Sequence, residues 1–207
     1  VLVYISNSVN EYITTENNIF QQGSFGIYHD GSFNGGNYLS GNSIIGNQFI
    51  DQYYYGIFAE NCNEIIVDSN SINTTNPFSQ FYGIYLSSCE NGVQVTQNQI
   101  LGGGNGIGIY LLDCDGTSSS HNLVANNFIS QDGTNSSTEN SLYLYYSNYT
   151  DVYYNTINNR NTNSVAKPVY VNNGTNVRFA NNIIRANSSY VIHSLNTTAI
   201  TASDYNN

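Results

Sequence analysis

The chain has no methionine, no tryptophan, only two prolines and a single lysine, Lys167. Lysine and arginine together number 4 against 14 aspartates and glutamates, for a formal charge of −10. Nucleic-acid affinity rests on Lys and Arg neutralising phosphates, so nucleic acid is excluded as a partner. The same acidic surface repels polyanionic substrates. Charged residues make up only 9% of the chain, yet 19 Tyr and 9 Phe are present. Disorder goes with the opposite balance, so the chain is folded. No apolar run approaches the roughly 20 residues of a membrane span, and no leader pattern is visible. A start at "VLVYIS" suggests a mature chain or an excised piece. The three cysteines lack C-x-x-C spacing, which argues against zinc. No G-x-S-x-G or phosphate-cradling motif occurs, and "LGGGNGIG" from Leu101 lacks the P-loop lysine and reads as a turn. No metal and no cofactor is expected.

What is there is a repeat. "GIFAENCNEIIVDSNSI" opens at Gly56, "GIYLSSCENGVQVTQNQI" at Gly83 and "GIYLLDCDGTSSSHNLVANNF" at Gly108, a period of about 27 residues. Related openings stand at Leu2, Gly26, Ser141, Pro168 and Tyr190. An asparagine two residues ahead of an apolar one recurs at Asn17, Asn47, Asn70, Asn98, Asn126, Asn155 and Asn181. Within a unit, Ile84 and Leu86 share one face and Tyr85 and Ser87 the other, and Val93 and Val95 repeat the alternation. Such short strands cannot bury an apolar face alone, whereas stacking at about 4.8 Å makes parallel sheets around one core. The expected fold is all-β: a parallel β-helix of about eight rungs, three short strands per rung, over residues 1–207 as a single domain. The recurring asparagines are expected inside, bonding rung to rung as an amide ladder.

The "GIY…N-x-I" units resemble the right-handed parallel β-helix repeats of pectate-lyase-like proteins. That group includes phage tailspikes and adhesin-like surface proteins. The resemblance covers essentially the whole chain and implies the fold and its hand, but little about function. It also implies that the outward side of the first strand is where enzymes of this fold often hold their active sites.

That outward position reads Tyr4, Tyr28, Phe58, Tyr85, Tyr110, Tyr143 and Tyr170, an aromatic in seven rungs. Cross-strand packing accounts for part of such a stripe. A stripe this long is also a candidate binding surface for another subunit or for sugar rings. Two residues further on, Asp30 and Glu60 stand one rung apart, the weak alternative of a glycosidase acid and nucleophile. Asp113 and Asp115 flank Cys114 in a turn, where calcium is the functional alternative to ordinary turn chemistry. Cys62, Cys89 and Cys114 fall six residues after their openings, with Ser8, Ser32 and Ser147 equivalent. They form either a column of packed thiols or one strained bridge with a free thiol. Arg160, Lys167, Arg178 and Arg185 share no outward position, and His29, His121 and His193 form no visible triad.

Sequons at Asn73, Asn135, Asn148, Asn173, Asn187 and Asn196 are candidate glycosylation sites, though so many Asn and Ser/Thr generate as many by chance. Composition and resemblance together favour an extracellular or cell-surface address. Two functions compete. One is a structural or adhesive surface protein, a subunit of a fibre, sheath or layer, self-associating through its ends or its aromatic stripe and capable of holding glycans. The other is a polysaccharide lyase or glycoside hydrolase. The absence of a carboxylate, Arg, Lys or His cluster on one face favours the first. Neither end shows a capping segment, so rung-on-rung contact at the ends is expected.

Overall fold

A computed structural model describes residues 2–6, 11–31, 38–75, 81–102, 106–133, 140–163, 166–187 and 190–207. Among them all regular structure is β: three long parallel sheets and a two-stranded parallel one, Leu39–Ser40 with Cys62–Asn63. The first sheet runs from Val3–Ser6 through Phe25–Asp30, Tyr55–Glu60, Tyr82–Ser87, Ile107–Leu112, Asn140–Tyr145 and Val169–Asn172 to Ile192–Ser194. The second begins at Thr14–Glu16 and ends at Ile200–Asp204, also with eight strands. The third holds seven, from Ile19–Gln21 to Ile183–Ala186. Each strand pairs with its equivalent in the next rung, so the chain is a parallel β-helix as its repeats require.

Side chains of like position stack because the register is kept from rung to rung. Ile57, Ile84 and Ile109 are cross-strand partners, as are Val67, Val95 and Val124, and Ile72, Ile100 and Ile129. All nine are essentially fully buried, each contributing roughly 1.5–3 kcal/mol of transfer free energy. The glycine that opens a rung has a steric cause. A Cβ on Gly83 would stand 2.6 Å from the Gly108 carbonyl oxygen and 2.9 Å from Ile100 Cγ2.

The amide ladder is present, with a correction of register. Asn47, Asn70, Asn98, Asn127, Asn155 and Asn182 are buried. Asn98 is representative: its Oδ1 accepts from the Asn70 backbone N–H and Nδ2, both at 3.0 Å, and its Nδ2 donates to Val67 O at 2.9 Å and Asn127 Oδ1 at 3.1 Å. Asn17, Asn126 and Asn181 are instead exposed, with φ of 56°, 57° and 57°. They occupy a left-handed corner taken elsewhere by Gly46, Ser69, Gln97 and Tyr154. Asparagine tolerates that conformation, so at 126/127 and 181/182 the first asparagine turns the corner and the second enters the core, while Asn18, at the open end of the ladder, is exposed and donates to Asn47 Oδ1 at 3.2 Å. The partners shift too: Phe20, Ile129 and Ile184 point inward, leaving Ile19, Phe128 and Ile183 exposed.

Cys62, Cys89 and Cys114 are buried free thiols in one column. Their Sγ atoms donate to backbone carbonyls, Cys62 to Glu60 O at 3.2 Å and Cys114 to Leu86 O at 3.4 Å. The hydrogen bond with the adjacent Cys89, and then burial, push the Cys62 thiol up, while burial, and then Cys89, push up that of Cys114. Ser147 continues the column, its Oγ donating to Leu111 O at 3.2 Å. Ser8 and Ser32 lie outside the described residues.

Candidate binding face on the first sheet

The outward side of the first sheet carries the aromatic column in register. Tyr4, Tyr28, Phe58, Tyr85, Tyr110, Tyr143 and Tyr170 are successive cross-strand partners. Strands repeat at about 4.8 Å, close to the separation of stacked rings, so side chains of equal rotamer stack. Centroids lie 4.7 Å apart for Tyr28–Phe58, Tyr110–Tyr143 and Tyr143–Tyr170, and 5.0 Å for Phe58–Tyr85, with interplanar angles of 7–19°. Tyr85 meets Tyr110 edge-on at 86°. Tyr4, at 62% exposure, is the open end of the column. Tyr170 is buried, with Lys167 Nζ 4.1 Å from its ring centroid.

A second aromatic column runs alongside. Phe25, Tyr55 and Tyr82 are cross-strand partners three residues ahead of the first column. They stack at 4.8 and 5.1 Å and meet their neighbours edge-on, as Tyr55 does Phe58 and Tyr82 does Tyr85. The periodicity that reveals the first column would have found this one, had the rungs been aligned from before the glycine. Mutual stacking covers most ring faces. What remains toward solvent is a two-wide field of ring edges and phenolic hydroxyls.

The phenols are held neutral. Burial pushes Tyr85 up to about 12, with Tyr55 and Tyr82 adding to the rise. Burial likewise raises Tyr55, Tyr82, Tyr110 and Tyr143. Tyr28 is raised by burial and by its bond to Glu60, whose Oε1 accepts from the Tyr28 hydroxyl at 2.8 Å. Neutral phenols remain hydrogen-bond donors as well as acceptors across the physiological range. Asp30 and Glu60 are cross-strand partners at one edge of this field, both half-exposed.

A further constellation was not visible in the sequence. Leu123, Asp151 and Arg178 share an outward column of the second sheet. Arg178 Nε and Nη2 donate to the two Asp151 carboxylate oxygens, each at 2.6 Å, and His121 Nδ1 lies 3.0 Å from Nη2 and 3.3 Å from Asp151 Oδ1. Burial pushes the Asp151 carboxyl up, but Arg178 and His121 outweigh it and hold the group below the usual carboxylate range. Thus His121 does gain charged neighbours, through residues 30 and 57 positions away. His29 is buried in the core, where its Nε2 accepts from Asn42 Nδ2 at 3.2 Å, and His193 packs edge-on against Tyr170. Arg160 forms an exposed pair with Asp132.

Among the sequons, Asn73 and Asn187 are exposed, while Asn148, Asn173 and Asn196 are half-buried. Asn148 Nδ2 donates to Asp115 Oδ1 at 2.7 Å, and Asn173 Nδ2 to Asn172 Oδ1 at 3.1 Å. Asn135 lies outside the described residues. Asp113, at φ 50°, takes a turn position. Among the described residues no three His, Cys, Asp or Glu side chains converge on a metal-sized site, and no helix is long and apolar enough to cross a membrane.

These features define a parallel β-helix protein with an aromatic, acid-edged first sheet. The sequence matches no protein-family model and no curated protein. Among solved structures, the tailspike protein of E. coli bacteriophage HK620, a mutant in complex with a pentasaccharide, has a similar fold. It gives a TM-score of 0.51 at 12% identity, over 94% of this chain and 41% of the tailspike. A mutant of a periplasmic alginate epimerase aligns with a TM-score of 0.45 at 19% identity, over 78% of this chain and 40% of the epimerase. The chain spans about two fifths of the length of each. The likeness is one of fold.

Proposed function

We propose that the protein is an extracellular surface protein that holds a linear glycan along its first sheet, an adhesive rather than a catalytic role. The observation that carries this reading is the two-column aromatic field. It is elongated along the helix axis, rimmed by hydroxyls and carboxylates, and repeats at the rung spacing. Five rung intervals from Tyr4 to Tyr143, short of the buried Tyr170, span roughly 24 Å. Sugars present hydroxyls to donors and acceptors and apolar C–H groups to ring edges and exposed ring faces, and neutral phenols meet both. The tailspike of similar fold was solved with a pentasaccharide, which supports a glycan ligand without specifying one.

A second reading has one observation in its favour. Asp30 and Glu60 stand on neighbouring rungs, with Tyr28 donating to Glu60. Their strand separation of about 4.8 Å is near the roughly 5–5.5 Å between carboxyls of a retaining glycosidase. Binding to a glycan array followed by product analysis separates the two. Glycan retention without cleavage supports adhesion. Cleavage that Glu60→Gln abolishes supports a hydrolase. The triple substitution Tyr85→Phe, Tyr110→Phe, Tyr143→Phe keeps the stack and removes three hydroxyls, so it should weaken retention at least about tenfold. Unchanged retention would move the binding surface elsewhere.

A further inference from the structure

We infer that the glycan held on this face is an extended chain of equatorially linked pyranoses, lying along the helix axis with one sugar to a rung. The inference rests on the glycan-binding reading and adds the linkage of the ligand. Phenols run along the face without a gap. Tyr4, Tyr28, Tyr85, Tyr110 and Tyr143 supply them from the first column, and where that column has Phe58 the same strand supplies Tyr55 from the second. The reverse holds one rung earlier, where Phe25 in the second column accompanies Tyr28 in the first. Phenylalanine stacks as well as tyrosine does, so packing alone does not require a phenol on each of six successive strands. Tyr28, Tyr55, Tyr82, Tyr85, Tyr110 and Tyr143 are all half-buried, none of them sealed in the core. Ring centroids along the first column lie 4.7–5.2 Å apart from Tyr4 to Tyr143.

A linear ligand meets every one of these phenols only if its own repeat keeps step with the strands, at about 4.8 Å. Equatorial bonds at opposite corners of a pyranose point away from each other. A chain linked through them therefore runs straight and advances by nearly one rung per sugar. An axial bond at one corner bends the chain at each link, coils it and carries successive sugars off the face. In the straight chain alternate sugars are turned over, so donors and acceptors change places from one sugar to the next. A neutral phenol both donates and accepts, and so serves a sugar in either orientation, where an ammonium only donates and a carboxylate only accepts. Two of the phenols are already oriented, Tyr28 donating to Glu60 at 2.8 Å and Tyr143 accepting from Asn172 Nδ2 at 3.1 Å. The first still accepts from a sugar and the second still donates to one.

The test is calorimetric titration of the full chain with cellohexaose, mannohexaose and chitohexaose, all equatorially linked, and with maltohexaose, the axially linked isomer of the first. At least one equatorially linked hexaose should bind about tenfold or more tightly than maltohexaose. For that sugar, affinity should climb with chain length from the disaccharide to about the hexaose and then level, because the track covers six strands. Tyr55→Phe, which strips its rung of a phenol, should weaken the hexaose at least about threefold, and Tyr82→Phe, whose rung keeps Tyr85, less than about twofold. Both variants are checked for an unchanged circular dichroism spectrum. Equal losses in the two, or an affinity that stops rising at the trisaccharide, overturn the inference. Maltohexaose binding as tightly as the best of the others overturns it and leaves the glycan-binding reading in place. Failure of all four hexaoses overturns it, and the array then decides the broader reading separately.

Discussion

The adjacent asparagines at 126 and 127 offer a sharp test of how the core is built. Asn127 is buried, and its Oδ1 accepts from the Asn98 backbone N–H at 3.0 Å and from Asn98 Nδ2 at 3.1 Å. Its own Nδ2 donates to Val95 O at 2.8 Å and Asn155 Oδ1 at 2.9 Å. Asn127→Leu leaves the buried Asn98 N–H without its acceptor, at about 1–3 kcal/mol, and deletes three further hydrogen bonds of about 0.5–1.5 kcal/mol each. Even after the gain from an added apolar side chain, a loss of about 3 kcal/mol is expected, or a fall in melting temperature of about 6–12 °C for a chain of this size. Asn126 is exposed and in the left-handed region at φ 57°. Glycine adopts that conformation without strain, so Asn126→Gly should shift stability by no more than about 0.5 kcal/mol. Melts of the two variants followed by circular dichroism decide the matter. An Asn127→Leu protein melting with the parent, or an Asn126→Gly protein falling as far, would refute the inward placement of Asn127.

Three further outcomes are expected. Burial lowers the His29 pKa, so the unfolded chain binds more protons between the folded value and about 6.5; stability should therefore fall as pH drops through that window, and His29→Gln should flatten the dependence measured by denaturant titration. Arg178→Met strips the buried Asp151 carboxylate of its bidentate partner and should cost about 1–2 kcal/mol, discounted for the partly exposed guanidinium, with Arg178→Met/Asp151→Asn recovering part of it in a double-mutant cycle. Ser147 shows that a hydroxyl fits the cysteine column by donating to carbonyls, so Cys89→Ser should cost less than about 1.5 kcal/mol, whereas a drop beyond about 3 kcal/mol would mean that the thiol is specifically required.

Much of this architecture was legible because one physical pattern is written many times. The apolar alternation of Ile84 and Leu86 recurs in rung after rung, and in-register stacking turns sequence repetition directly into columns. For the same reason the stripe from Tyr4 to Tyr170 is legible in the sequence alone. The ladder was misplaced by one residue only where two asparagines adjoin, since a residue suited to an inward amide also suits a left-handed corner. The column of Phe25, Tyr55 and Tyr82 escaped because it precedes the glycine used to align the rungs. His121, Asp151 and Arg178 escaped because they come from three rungs and meet only through the register of the second sheet. The covering of ring faces by neighbouring rings is a matter of rotamers, which the order of residues does not specify.

Tyrosine ring protons report contact on this face directly. The protein should be labelled selectively at tyrosine, and its ring resonances followed by NMR during titration with a glycan retained on the array. Shifts concentrated at Tyr28, Tyr55, Tyr82, Tyr85, Tyr110 and Tyr143 are expected, with Tyr12, Tyr154 and Tyr205, all exposed elsewhere at 60–79%, left unmoved. Shifts confined to those three, or a first sheet silent under saturating glycan, would contradict a glycan-binding role for the aromatic face.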